Sequence, residues 1–144
     1  MSNQKRLDAL RQELNLGDWE PNSEGIYEIV FDDGLEVQFQ SIGDRRLILK
    51  SRLEVAPEDP ASRESFIRDT LKRSLEKIRR SAGIVTIERS NRTLWLYRQL
   101  RTDQLDDAAF FAAIEEFLVT LEWWLQVGQS GPQASLPPDF ILRP

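Results

Sequence analysis

Among its 144 residues the chain contains neither cysteine nor histidine. Disulfide staples, zinc sites built on thiolate or imidazole, Cys and Ser–His nucleophile systems and histidine acid–base catalysis are therefore all excluded within it. A Gly-rich phosphate loop of the Walker or dinucleotide type is also missing. No apolar run approaches the ~20 residues that a membrane span needs. The N-terminal stretch MSNQKRLDALRQELNL lacks the apolar core and small-residue cleavage site of a signal peptide, so a cytoplasmic location is expected. Basic excess is absent too. The net charge of −5 argues against a nucleic-acid partner, which would call for a basic footprint.

What is present suits one soluble α+β domain: 40% hydrophobic and 30% charged residues in a length that supports a single core. Leu7, Leu10 and Leu14 fall at i, i+3 and i+7 and mark one narrow stripe on a helix over 3–15, stopped near Gly17. The period then changes to two. Leu35, Val37 and Phe39 alternate with Glu36, Gln38 and Gln40, and Asp33-Gly34 supplies a hairpin signal, so strands are expected over 25–31, 35–41 and 46–54. Asp59-Pro60 reads as an N-cap followed by proline at the first helical position. Ile67, Leu71, Leu75 and Ile78 stripe the helix it opens, expected over 60–81. IVTIERS and TLWLYRQLR form two more strands across Asn91-Arg92. The third helix, over 106–127, places Phe110, Phe111, Ile114, Phe117, Leu118, Leu121, Trp124 and Leu125 on one broad face, with Val119 and Trp123 opposite.

The order is thus α-β-β-β-α-β-β-α, a twisted antiparallel sheet with three helices. The domain should occupy 1–128, and 129–144 has the Gly/Pro/Ser content of a flexible tail, although Phe140, Ile141 and Leu142 give it an apolar spot.

Candidate sites are few. FDDGLE carries two adjacent carboxylates but lacks the further oxygen ligands of a calcium loop, and a hairpin explains it, so no metal is expected. Glu115, Glu116 and Glu122 form a carboxylate group of the kind that can split acid and base roles, but they fall on the polar side of an amphipathic helix, where acidic residues are simply solvated. No catalytic residue and no cofactor are expected. The second helix carries Arg63, Arg68, Lys72, Arg73, Lys77, Arg79 and Arg80 against three acids, a pattern of a solvated face. Aromatic residues are more telling. In TLWLYRQL, Leu94 and Leu96 point to one side of the sheet, Trp95 and Tyr97 to the other, and neither side is polar. A two-layer fold covers the leucines with the third helix and leaves Trp95, Tyr97 and Trp123 less covered, as at protein interfaces.

The helix order, size, acidic balance and the stretch TLWLYRQLRTDQLDDAAFFAAIEEFLVTLEWW resemble the class I type III secretion chaperones of the CesT/SycE type, over residues 3–127. The resemblance implies a non-enzymatic bacterial virulence protein, a homodimer that binds the N-terminal region of a secreted effector and keeps it competent for secretion. Components of the secretion apparatus are further partners it implies. It places the dimer contact on Leu71, Leu75, Ile78, Val85 and Ile87, and client pockets on Leu7, Ile26, Val30, Ile48, Trp95 and Tyr97. A binding or regulatory module of the YbjN type, on the same fold but without a role in secretion, is the alternative reading, because related architectures host different tasks.

Overall fold

The computed structural model describes residues 2–17, 19–31, 34–77 and 83–130. The elements follow the expected order: α1 (Ser2–Leu14), β1 (Ile26–Phe31), β2 (Leu35–Ile42), β3 (Arg46–Val55), α2 (Pro60–Lys77), β4 (Ile84–Glu88), β5 (Thr93–Arg101) and α3 (Asp107–Ser130). A single turn of 3-10 helix, Thr102–Gln104, joins β5 to α3. Expected boundaries hold to within a residue or two for α1 and the first three strands. The third helix runs to Ser130, so the first two residues of the expected tail are helical, and the rest of the tail lies outside the described residues. The last residues of the expected second helix, 78–81, lie outside them as well.

All strand pairs are antiparallel, and the sheet order is β1-β2-β3-β5-β4. The chain leaves β3 through α2, makes β4 on the far edge and returns with β5 beside β3. Register fixes two faces. Ile29, Val37, Phe39, Leu47, Leu49, Leu96 and Leu100 share the inner one, and α1 and α3 close over it with Leu7, Leu10, Phe110, Ile114, Phe117 and Leu121. This is one continuous apolar layer between helices and sheet. Gly34 has φ of +77°, as the hairpin signal requires, whereas its neighbour Asp33 lies outside the described residues.

Asn3 locks α1 to the sheet. Its Nδ2 donates to the carbonyls of Gly43 (3.0 Å) and Arg46 (2.7 Å), and its backbone N–H donates to Asp44. Its Oδ1 accepts from the fully buried Thr102 hydroxyl, whose own N–H donates to Arg45. One buried amide thus ties the start of α1, the β2–β3 turn and the end of β5, with its polar atoms satisfied as burial demands.

α3 is held in the same region. Asp106 caps it through the Ala109 N–H at 2.8 Å, and Arg6 of α1 pairs with Asp107 in its first turn. Trp123, expected on the open side of α3, is instead half-buried: its ring meets Trp124 edge-on at 5.0 Å and packs on the core. Val119 remains 68% exposed.

Candidate functional site: an open sheet face

The face away from α1 and α3 is built by alternation. β1 contributes Ile26, Glu28 and Val30, β3 contributes Ile48, Lys50 and Arg52, and β5 contributes Trp95, Tyr97 and Gln99. β4 adds Ile84 and Thr86. TLWLYRQL divides as its pattern requires: Leu94 and Leu96 are buried inward, Trp95 and Tyr97 are half-buried outward. Trp95 Nε1 donates to Glu88 Oε1 at 3.1 Å, and Lys50 Nζ stands 5.2 Å from the ring centroid, within cation–π range. Tyr97 lies between Lys50 and Ile84 in register, and Ile84 is 62% exposed.

The residues expected in client pockets do not share one environment. Val30 is 65% exposed on the outer face, near the end of the β1 edge. Ile26 and Ile48 are on that face but buried, both opposite Gln40 in register. Leu7 is part of the core at 2% exposure, so it seats α1 and is not open to a client.

Those expected in a dimer contact divide as well. Leu71 is 59% exposed and Ile87 is exposed, whereas Val85 packs partly on the core. Ile78 and the side chain of Leu75 lie outside the described residues. Of the described side chains of α2, Thr70 is buried and Phe66 and Ile67 are half-buried, while Leu71 stays open. Its cap is well made: the Ser62 N–H donates to Asp59 Oδ2 at 2.9 Å, which holds that carboxyl below its ordinary value.

Two features of the face were not legible in the sequence. First, the segment before β1 protects the beginning of this edge strand. Asn22 takes both backbone groups of Ile26 (its N–H through Oδ1 at 3.1 Å, its carbonyl through the Asn22 N–H at 2.9 Å), and Trp19 Nε1 donates to the Glu28 carbonyl at 3.1 Å. By alternation the next outward-facing backbone groups belong to Val30. An added strand therefore meets an edge that is already half covered. The signal was the Asx-turn residue Asn22 just ahead of the strand, together with an aromatic residue three positions earlier.

Second, β2 and β3 part. Their pairing stops at Gln38–Lys50, while β1 and β2 continue to Phe31–Leu35 and β3 and β5 to Val55–Thr93 through a bulge between Arg52 and Glu54. A cleft of about 490 Å³ opens there, reached by residues of both faces, including Val30, Glu36, Arg52, Leu53 and Trp95, and bordered by Leu125 of α3.

Residues 5–125 match the model of the Tir chaperone protein (CesT) family. The chain belongs to that family. Solved structures agree on the fold. A chain of the ExsC–ExsE complex is similar with a TM-score of 0.65 at 20% identity, covering 85% of this chain and 90% of that one. A chain of the HopA1–SchA chaperone–effector complex has a TM-score of 0.68 at 14% identity, with 88% and 94% covered. One from the heterodimeric ExoU–SpcU complex of the Pseudomonas aeruginosa type III secretion system has a TM-score of 0.57 at 11% identity, with 83% and 93% covered. No curated protein matches the chain in sequence.

In this CesT-family chain, Glu115, Glu116 and Glu122 are exposed on α3, and Glu116 accepts from Arg98 Nη1 at 3.1 Å. No helix among the described residues is long and apolar enough to cross a membrane.

Proposed function

We propose that this protein is a type III secretion chaperone that holds the N-terminal segment of a secreted effector, extended, on the open face of its sheet and thereby keeps that segment competent for secretion. The observation that carries the reading is the pair Trp95 and Tyr97, half-exposed with Val30 and Ile84 on a sheet face that neither α1 nor α3 covers. Apolar and aromatic side chains without an internal cover give an extended polypeptide pockets for alternate residues, and Lys50 and Arg52 beside them add charge selectivity. Because the first half of the β1 edge is already hydrogen-bonded, side-chain pockets rather than a long added strand supply most of the contact. No step requires an enzyme: masking apolar segments is a matter of binding alone.

The working unit in this reading is a homodimer in the bacterial cytoplasm. α2 has an apolar stripe, with Leu71 exposed, and β4 leaves Ile87 exposed at the other sheet edge. A second copy of the chain is the occupant that covers both.

The test is co-expression with the products of neighbouring genes, purification through a tag on the chaperone, and limited proteolysis of what stays bound. A protected N-terminal client segment, and a solution mass of twice 16.7 kDa for the chaperone alone, are expected. A monomer that protects no segment would sink the proposal. With the client in hand, Trp95→Ala is expected to weaken binding by about 2 kcal/mol, roughly thirtyfold in Kd by calorimetry, as for a buried aromatic anchor.

A further inference from the structure

The cleft between β2 and β3 has a feature that the open face as a whole lacks: the chain's own C-terminal segment is within reach of it. Its lining mixes apolar side chains, among them Val30, Leu53, Trp95 and Leu125, with charge of both signs, through Glu36 and Arg52. Leu125 precedes the last described residue of α3 by five positions, so the helix delivers the chain only about 7.5 Å beyond the cleft wall. Residues 131–139 then span up to about 30 Å when extended, more than enough to turn back.

The segment's chemistry matches that lining. Phe140, Ile141 and Leu142 are three consecutive apolar residues in an otherwise polar, Gly/Pro/Ser-containing stretch, and Asp139 and Arg143 flank them with opposite charges. Pro137 and Pro138 immediately before fix two φ angles, which lowers the entropy lost when the residues after them are ordered. Attachment to α3 makes the encounter intramolecular, at an effective concentration in the millimolar range for a short linker.

We propose that residues 139–143 of this chain occupy the cleft in its client-free state, with Phe140, Ile141 and Leu142 against Val30, Leu53, Trp95 and Leu125, and with Asp139 and Arg143 meeting Arg52 and Glu36. A segment so placed covers Val30 and Trp95. The placement stands whether or not the protein serves secretion, because it concerns the protein alone.

The absence of cysteine makes the test direct. A nitroxide attached to Pro144→Cys is the only label, and amide signals are compared before and after its reduction. Selective loss of signal is expected at Glu36, Leu53 and Trp95, with Gly43 and Arg46 at the opposite end of the β2–β3 pair unaffected. In the same background, replacing Phe140, Ile141 and Leu142 with Ser is expected to bring the loss at those three sites down to the level at Arg46. Three results would each overturn the proposal. One is uniform signal loss or none. Another is selective loss that survives the triple substitution, which would mean that tethering alone brings the label close. The third is the same selective loss in isotope-labelled copies without nitroxide when they are mixed with nitroxide-bearing copies of natural isotope content, which would place the segment on another molecule.

Discussion

α2 and α3 both declare themselves in the sequence through an apolar stripe at helical spacing, yet they end in opposite circumstances. α3 buries Phe110, Phe117 and Leu121 completely over the sheet, while α2 leaves Leu71 59% exposed and only half-buries Phe66 and Ile67. Periodicity says that a helix has a face to cover. It does not say whether the cover is part of the same chain. α3 follows β5 through one 3-10 turn that sends it back across β3 and β2, whereas α2 connects β3 to β4, strands that lie on either side of β5. An exposed leucine within the stripe of a well-capped helix is therefore better evidence of a partner than the stripe itself.

This contrast can be tested from its strongest side down. Phe117→Ala removes a fully buried ring from the centre of the α3 contact and is expected to cost about 3–5 kcal/mol in urea unfolding. A cost below 1 kcal/mol would mean that α3 is not the seat of the core. Asn3→Ala strands the Gly43 and Arg46 carbonyls and the Thr102 hydroxyl that one amide now serves, and a loss of about 2 kcal/mol is expected by the same measurement. Leu71→Glu on α2 should act quite differently. It is expected to bring the solution mass down to 16.7 kDa while changing the intrinsic stability of the folded chain by less than about 0.5 kcal/mol. The parent's unfolding midpoint should rise with protein concentration and the variant's should not. A Leu71→Glu protein that unfolds outright would erase the distinction between the two helices.

The smallest effect concerns the cap of α2. The Ser62 N–H holds the Asp59 carboxyl below its ordinary value, so the carboxylate stabilises the folded form above the unfolded carboxylate pKa. That contribution disappears as pH falls through the lowered folded value. The Ser62 amide shift should follow this acid titration in the parent and lose it in Asp59→Ala, with α3 signals unmoved.

TLWLYRQL shows how much was legible and where legibility stopped. Alternation assigned Leu94 and Leu96 to one side and Trp95 and Tyr97 to the other, and the structure places them so, because a period of two leaves a strand no other choice. The same reasoning failed for Trp123. A helical wheel put it on the open side of α3, but an indole is large enough to reach round the helix, and its ring rests on Trp124 and packs on the core. Leu7 was assigned to a client pocket through the family resemblance, and the closeness of α1 to α3 puts it in the core. Asn3, Trp19 and Asn22 carried no periodic signal at all, since their roles are hydrogen bonds to backbone groups distant in sequence or set by a turn.

By itself the sequence determined the order of the elements, the strand faces, the α3 stripe and the exclusion of cysteine and histidine chemistry, all of which depend on local spacing and residue type. Tertiary structure alone decided which apolar faces meet. The strand order β1-β2-β3-β5-β4, the parting of β2 from β3 and the exposure of Leu71 on α2 follow from which surfaces the connections can bring together. Local patterning fixes what each element offers, and long-range packing fixes which offers are taken up within one chain.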